Sequence, residues 1–260
     1  MSVTTQLPVK KASEVVDAQG WNGLIFGHSG AGKTWLASTA NDSRFGTPAL
    51  FCDTEDGIRT ISDRDDLDVL TKDAITSFAR LEQVRDVVRQ EKVYRTVVLD
   101  GLFGAYDMAY KEQLAAAGRP DGPAQIQDWG RTNDRVGGLC QDFVDMSKRY
   151  GINFIATAPA TEVVDETSHT VLTRIDLTPG LIKLLFKCFD VVAYLGVQPG
   201  TKQNPIGKRK LQLYSTHNII AKVRQPMSGP QLPIELEGED LCMDSLFAAQ
   251  RSNRKTEEAQ

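Results

Sequence analysis

A segment near the start of the chain has the residue types and spacing that bind phosphate groups. It is the octapeptide at 27–34, with the pattern G-x-x-x-x-G-K-T. Its glycines allow backbone N–H groups to turn inward around phosphate oxygens without a clash from a Cβ atom. In this pattern Lys33 brings a charge to the β- and γ-phosphates, and the Thr34 hydroxyl is placed to bind Mg²⁺. The sequence therefore predicts a phosphate-binding loop, or P-loop.

The predicted ligands are ATP and Mg²⁺, although no motif distinguishes adenine from guanine. Lys33 is also expected to act in catalysis, and a helix that starts near it would add the positive end of its dipole. The residues expected to contact the nucleotide are Gly27, His28, Ser29, Gly30, Ala31, Gly32, Lys33, Thr34 and Trp35.

Hydrophobic patterning around the P-loop predicts an α/β fold. An apolar run at 21–27 predicts the strand before the loop, and two further runs, 49–53 and 95–100, are typical of buried parallel strands. Both of these runs end in an aspartate. Because the carboxyl ends of parallel strands line the ligand crevice of an open sheet, we expect both strands to lie beside the first one, with their acids near the phosphates.

Two acidic positions carry the predicted chemistry. Asp100, at the end of the run 95–100, is expected to bind Mg²⁺ together with Thr34, although it could instead only cap the next helix. Many ATP hydrolases place the glutamate that activates water directly after such an aspartate, but here Gly101 follows Asp100. The base must then come from another strand, and Glu55 is the preferred candidate. Asp53 is the second choice, and a merely solvated strand end is the remaining interpretation.

The second half of the chain has a different pattern. An apolar run at 152–158 predicts another buried strand, and Thr157 near its end is either a γ-phosphate sensor or a buried hydroxyl bonded to the backbone. Alternating polarity predicts a hairpin from 161–165 and 170–176. Further strands are predicted at 191–197, 210–215 and 219–224, and a surface loop at 63–73. The expected fold class is a three-layer α/β fold with a mixed sheet, parallel in the first half and antiparallel towards the C-terminus.

Length and composition are those of one α/β domain. The 260 residues are 41% hydrophobic and 25% charged, with a net charge of −4, and can bury one sizeable core. We expect an N-terminal arm at 1–20, a core at 21–225, and an acidic C-terminal extension at 226–260 with a short helix and a disordered tail. No leader pattern and no apolar run of membrane-spanning length is found, which predicts a cytoplasmic protein without membrane contact.

Cysteine spacing and charge distribution add two expectations. The four cysteines are far apart, which argues against zinc or disulfides and predicts core thiols: they are Cys52, Cys140, Cys188 and Cys242. Of the three segments 1–147, 148–224 and 225–260, only the second carries more basic than acidic residues. A positive segment is compatible with nucleic acid contact, but also with an ordinary solvated surface.

Three segments together resemble the RecA-like ATPase core: GHSGAGKT at 27–34, LFCDTEDG at 50–57 and VVLDG at 97–101. The closer resemblance is to compact phage-encoded AAA-type nucleotide-binding proteins, which look like a RecA core without flanking domains and include single-strand annealing recombinases. The likeness extends over about 21–224. It implies a RecA-like three-layer P-loop NTPase fold, in which the glutamate of a D-x-E context, here Glu55, is the catalytic base.

The resemblance also implies DNA-binding and intersubunit residues. The loop at 118–130 and the segment at 160–173 correspond to the two DNA-binding loops, with Trp129 as the main aromatic side chain that could stack on bases. Lys222 and Arg224 correspond to catalytic cations that reach a neighbouring protomer's γ-phosphate, and alternation along a strand puts both on one face. They could equally be solvated cations of an edge strand.

Two features depart from the family pattern. Pro159 stands where the strand at 152–158 usually ends in a polar His or Gln, which puts the nucleotide sensor in doubt. The second candidate DNA segment carries Glu162, Asp165 and Glu166, whose charges would repel a phosphate backbone.

The predicted function is Mg²⁺-dependent ATP binding and hydrolysis by a homo-oligomer, a ring or filament, that acts on single-stranded DNA in phage recombination or replication. The alternative is a nucleotide-dependent switch or binding module with slow hydrolysis and a protein partner, which Pro159 and the acidic segment favour. A small-molecule kinase is a third class, kept open by Arg119, Arg131 and Arg135.

Overall fold

The computed structural model describes residues 20–164, 170–198, 200, 207–224, 232–238 and 241–248. The predicted N-terminal arm up to residue 19, the tip of the predicted hairpin at 165–169 and the end of the predicted tail lie outside the described residues.

The described residues include ten strands and five α-helices with complete bounds, together with a helical stretch at 243–248. The strands are β1 (Asn22–Gly27), β2 (Ala49–Asp53), β3 (Asp68–Leu70), β4 (Thr96–Asp100), β5 (Asn153–Val164), β6 (Val171–Ile175), β7 (Val191–Val197), β8 (Arg209–Gln212), β9 (Lys222–Val223) and β10 (Glu235–Glu237). The helices are α1 (Lys33–Ser38), α2 (Phe78–Glu91), α3 (Leu102–Ala116), α4 (Ile126–Tyr150) and α5 (Pro179–Cys188). Short 3₁₀ turns follow at Thr39–Asp42 and Gly57–Ile61.

All ten strands belong to one mixed sheet. Its order is β10-β8-β7-β1-β5-β4-β2-β3, with β6 paired to β5 and β9 paired to β7. The strands from β3 to β7 along this order are parallel, whereas β6, β8, β9 and β10 are antiparallel to their neighbours. The predicted fold class is therefore confirmed.

The position of two strands differs from the expectation. The neighbours of β1 are β5 and β7, so β2 and β4 do not lie beside the P-loop strand. Their apolar runs show that they are buried, but a crossover connection can pass over vacant sheet positions, and the run itself does not choose a neighbour. The two acidic strands do adjoin each other, with Asp53 opposite Asp100.

Two local expectations are also corrected. Part of the predicted surface loop at 63–73 forms β3, which extends the sheet beside β2. The predicted loop at 118–130 ends early, because α4 begins at Ile126. Gln125 and Asp128 form a reciprocal capping box at its start, which satisfies the exposed N–H groups of the first turn.

The sheet separates two apolar layers. Alternation along β1 sends Leu24 and Phe26 to the face covered by α2, α3, α4 and α5, and Ile25 to the face covered by α1. The second face is completed by described residues of the predicted C-terminal extension. Residues 243–248 are helical, and Phe247 packs edge-on against Trp21. With β10, these residues continue the core beyond residue 225.

Three of the four cysteines are fully inside these layers, as predicted. Cys52, Cys140 and Cys188 are buried, and burial raises the pKa of the Cys52 thiol to about 12. Cys242 is half-buried.

The predicted hairpin is confirmed, but its first arm is not a separate strand. β5 runs on through Pro159, which lies opposite Gly27, and residues 160–164 then pair with β6. The hairpin therefore leaves the sheet at the edge where the P-loop begins. Among the described residues, no helix is both long and apolar enough to cross a membrane.

Candidate nucleotide-binding site

The P-loop connects the end of β1 to α1 and has the geometry that its glycines predict. Gly30 and Gly32 have positive φ values of 78° and 96°, which favour glycine because it has no Cβ atom. Lys33 Nζ donates to the carbonyl oxygens of Gly27 at 2.8 Å and His28 at 3.1 Å. Burial lowers the pKa of Lys33, while the charges of Asp100 and Glu55 oppose this shift.

A cavity of about 430 Å³ opens in front of this loop. Its lining comprises Ser29, Gly30, Gly32, Lys33, Thr34, Trp35, Glu55, Gly57, Thr60, Asp100, Thr157 and Arg209. The structure therefore brings most predicted site residues to one crevice, at the carboxyl ends of β1, β2 and β4. Lys222 and Arg224 are not part of it.

Asp100 and Thr34 meet directly across this cavity. The Thr34 hydroxyl donates to Asp100 Oδ2 at 2.8 Å, and the Thr157 hydroxyl donates to Asp100 Oδ1 at 2.6 Å. Burial raises the pKa of Asp100 to about 6, and the charges of Asp53 and Glu55 act in the same direction, whereas the two hydroxyl contacts oppose it. Burial thus makes the ionised form of Asp100 unfavourable in free energy, and a nearby cation would stabilise it.

The donors present here fit Mg²⁺. Among the described residues, no group of three or more His, Cys, Asp or Glu side chains is placed to hold a metal by itself. Mg²⁺, however, is commonly bound by one or two protein oxygens together with water and substrate phosphates. Gly57 leaves space beside the pair, since a Cβ atom there would lie 2.8 Å from Asp100 Oδ2 and 3.0 Å from Thr34 Oγ1.

Glu55 is held at the rim of the same cavity by the start of α3. Its Oε1 accepts a hydrogen bond from the Gly104 N–H at 2.9 Å. Space for the side chain depends on two glycines, because a Cβ atom on Gly101 would lie 2.6 Å from Glu55 Cγ and one on Gly104 would lie 3.0 Å from it. The Glu55 side chain, which also lines the cavity, is therefore held against the start of α3.

Asp53 has a structural role that excludes it as the base. Its side chain is fully buried, and its two oxygens accept from the backbone N–H groups of Glu55, Gly57 and Ile58 at 2.9–3.1 Å. These contacts shape the turn that presents Glu55 and Gly57. The second-choice candidate therefore positions the preferred one.

Thr157 contacts both the backbone and a functional side chain. It accepts from the Gly101 N–H at 2.9 Å while donating to Asp100. The interpretation of this residue as a buried hydroxyl bonded to the backbone is confirmed, whereas a γ-phosphate sensor stays a prediction. Thr157 also orients the predicted metal ligand. Its position opposite Asp100 depends on the pairing of β4 with β5, which sequence spacing does not reveal.

Lys222 and Arg224 lie at the end of the sheet opposite the P-loop, near the amino ends of the parallel strands. β9 pairs with the first residues of β7, which are level with the start of β1. Lys222 Nζ donates to the carbonyl of Phe189 at 2.6 Å, and Arg224 donates to that of Lys187 at 2.8 Å. Both cations therefore cap the C-terminal end of α5, on one face as predicted. Burial lowers the pKa of Lys222, and the Arg224 charge adds to this shift.

Arg209, which was not predicted as a site residue, lies over the P-loop of its own chain. Its Nε donates to the carbonyl of Ala31 at 3.0 Å. The sequence signal was a cluster of cations, Lys208 to Lys210, at the predicted start of a strand, but only the pairing of β8 with β7 brings it to the loop.

A second contact links the P-loop to the β5–β6 hairpin. The His28 Nε2 atom lies 3.6 Å from Glu162 Oε1, and its ring lies against that of Tyr194 on β7.

A P-loop after the central strand of a mixed sheet, with an acidic strand end facing its threonine, defines a P-loop NTPase fold. A family model described as an AAA domain matches residues 19–225. Because this match covers most of the chain, the protein belongs to this family of AAA-type P-loop ATPases. The sequence shows no significant similarity to any curated protein. Family membership supports nucleotide binding at the cavity described above.

Asp100→Asn is expected to stabilise the protein without Mg²⁺ and nucleotide, because Asn can accept from Thr157 and donate to Thr34 without a buried charge. The folded-state pKa of Asp100, about 6, exceeds its ordinary value of 3.8. The wild type therefore loses stability relative to the variant as pH rises from about 4 to about 6. Above that range, we expect a difference of about 2–3 kcal/mol in the free energy of unfolding, measured by urea unfolding in EDTA.

Asp53→Asn is the matched control. An amide group there would face a backbone N–H donor, so this variant should be less stable than the wild type at neutral pH. If the difference in the free energy of unfolding between wild type and Asp100→Asn did not depend on pH, the conclusion that burial destabilises the ionised Asp100 would be wrong.

Gly104→Ala is expected to destabilise the protein, although alanine usually favours a helix interior by about 1 kcal/mol. The new Cβ atom would lie 2.7 Å from the Thr54 carbonyl oxygen and displace the turn that carries Glu55. Gly138→Ala in α4 is the control, because a Cβ atom there meets nothing within 4 Å. Thermal unfolding should show opposite shifts for the two variants, and two stabilising shifts would refute the proposed crowding.

Proposed function

We propose that the protein binds ATP with Mg²⁺ and hydrolyses the bond to the γ-phosphate, with Glu55 as the general base. The observation that carries this proposal is the shared cavity: Glu55 faces the same space as Lys33, Thr34 and Asp100. A carboxylate that lines the same cavity as a P-loop can accept a proton from a water molecule aligned with the γ-phosphate.

Each residue of the site would then have a separate role. The P-loop N–H groups and Lys33 bind the β- and γ-phosphates, and Thr34 and Asp100 supply the protein oxygens for Mg²⁺. When bound, Mg²⁺ would neutralise charge that develops on the phosphates during transfer. Gly104 orients Glu55 through its backbone N–H, and Thr157 orients Asp100.

Head-to-tail assembly is a further part of the proposal. Lys222 and Arg224 lie at the edge of the sheet opposite the P-loop, where they could meet the nucleotide of a neighbour only if subunits stack in one direction. Their contacts with the carbonyl groups at the end of α5 would then have to be exchanged for phosphate contacts. A purely structural capping role is the competing explanation.

Binding of single-stranded DNA is proposed at the edge of the sheet that carries the P-loop. The β5–β6 hairpin projects there. The α3–α4 connection lies there too: α2 begins after the carboxyl end of β3, and Glu112 near the end of α3 accepts a hydrogen bond from the Phe78 N–H at the start of α2. Trp129, 41% exposed, stacks on Tyr110 and offers an aromatic surface for bases. Glu162 works against phosphate binding, as its sequence suggested. The phage origin and the recombination role follow from the resemblance alone.

A nucleotide-dependent switch with slow hydrolysis is the second candidate function. The contact between His28 and Glu162 favours it, because it connects the phosphate loop directly to a projecting hairpin that a protein partner could reach.

Glu55→Gln is expected to lower steady-state ATP hydrolysis by roughly 10²- to 10⁴-fold, because the amide cannot accept the proton from water. ATP affinity should change little, since Glu55 is not part of the P-loop. Phosphate release and ATP titration calorimetry, each with Mg²⁺ or EDTA, measure both quantities. Lys33→Ala should lose binding. Negligible wild-type hydrolysis that the Glu55 variant leaves unchanged would favour the switch.

Trp129→Ala is expected to weaken binding of an oligo-dT by about tenfold, as base stacking on an aromatic ring is lost. Fluorescence anisotropy with Mg²⁺ and ATP, at low and at moderate salt, measures this affinity, and wild-type binding should fall as salt rises. ATP affinity of the variant serves as the internal control. If the wild type does not bind at low salt, the DNA part of the proposal is wrong.

A further inference from the structure

A second cavity, of about 470 Å³, lies next to the phosphate cavity. The two share Trp35 and Arg209 as lining residues. The second cavity is also lined by Lys208, Glu237, Gly238 and Leu241. Its wall therefore joins the first turn of α1 to the C-terminal part of the chain.

The strand pairing of the C-terminal part holds this wall in place. β10 pairs with β8 so that Glu237 lies opposite Lys210, whose ammonium group is 3.6 Å from the Glu237 carboxylate. Gly238 then turns the chain with a positive φ of 65°, and Leu241 returns to the core, where it is buried. Glu237 thus stands at the mouth of the cavity on a well-supported backbone.

Arg209 lies at the junction of the two cavities. Its Nε donates to the Ala31 carbonyl, and its side chain lies so close to Gly32 that a Cβ atom there would be 2.7 Å from Nε. Within the described ranges, no acceptor forms a hydrogen bond with its two terminal nitrogens. These nitrogens are donors in a fixed planar arrangement, suited to a phosphate oxygen.

Trp35 forms the other shared wall. It follows Thr34 directly in the first turn of α1, and its side chain is 44% exposed although the helix is buried from Leu36 onward. A large aromatic ring at this position offers an apolar face beside the end of the phosphate loop. Such a face is typical of sites that bind the flat ring of a base.

We propose that the second cavity binds the nucleoside part of the nucleotide, a purine with its ribose. The purine stacks on the Trp35 ring, the Glu237 carboxylate accepts a hydrogen bond from a ribose hydroxyl, and Arg209 binds the phosphate nearest the ribose. This inference rests on the proposed nucleotide binding, since a nucleoside reaches this cavity only if its phosphates occupy the P-loop.

The test compares two ligands that differ only in the nucleoside: Mg²⁺-ATP and Mg²⁺-tripolyphosphate, each titrated by calorimetry. Trp35→Ala is expected to weaken ATP binding about tenfold or more, the usual effect of losing base stacking, and to change tripolyphosphate binding less than about twofold. Trp35→Phe keeps an aromatic ring and should bind ATP nearly as well as the wild type. Glu237→Ala, which removes the hydrogen-bond acceptor, should weaken ATP binding only.

Tyr150→Ala is the control for removing an exposed aromatic side chain. Tyr150 is 42% exposed at the end of α4, outside both cavities, so both affinities should remain at wild-type values. Thermal unfolding of every variant is measured to check that the fold is retained.

Three results would overturn the inference. Equal weakening of both ligands by Trp35→Ala would mean that Trp35 only supports the P-loop, and no effect on either would place the nucleoside elsewhere. If the wild type binds ATP no more tightly than tripolyphosphate, the second cavity contributes nothing to the affinity. Failure of the wild type to bind either ligand would instead refute the proposed nucleotide binding itself.

Discussion

The site depends on one buried carboxylate. Asp100 is held between the hydroxyls of Thr34 and Thr157, where burial raises its pKa and makes its charge costly. Removing a charge from water is unfavourable unless a partner compensates it, and two neutral hydroxyls compensate it only in part. The strands that place these three side chains together therefore create a position with an intrinsic preference for a cation. That preference connects the fold to the binding of a metal nucleotide.

The surrounding backbone is arranged to keep this position open and aligned. Gly57, Gly101 and Gly104 each lie where a Cβ atom would strike Asp100, Glu55 or their supports. Asp53 accepts hydrogen bonds from three backbone N–H groups of the turn that carries Glu55 and so holds that turn in place. Glycine therefore supplies close approach, and a buried aspartate supplies rigidity. Together they let two acids face one cavity without sharing the same role.

Four of the chain's cations lie at two opposite ends of the sheet. Lys33 and Arg209 belong to the edge with the P-loop, whereas Lys222 and Arg224 belong to the opposite edge and stabilise the end of α5. The chain thus provides its own positive charge at the predicted phosphate site. A neighbour's cations would add to this charge rather than supply it, which is consistent with nucleotide binding by a single chain.

Local sequence patterns were sufficient for several features because their causes are local. The spacing from Gly27 to Thr34 determined the P-loop, and the apolar runs determined the buried strands and the α/β class. The choice of Glu55 over Asp53 followed from Gly101 and from a family resemblance, and the buried contacts of Asp53 now support that choice. In contrast, the early start of α4 depended on a capping box that the Gly- and Pro-rich segment before it obscured.

The contacts between distant segments, in contrast, follow from the arrangement of the strands in the sheet. The order of strands placed β5 between β1 and β4, which brought Thr157 to Asp100, and the pairing of β8 with β7 brought Arg209 to Ala31. Periodicity shows that a strand is buried, but many neighbours can cover the same apolar face equally well. Residue types and spacing were therefore enough to predict a phosphate loop and the acids that accompany it. The sheet determined which hydroxyls, glycines and cations complete the site, because those contacts join residues far apart in the chain.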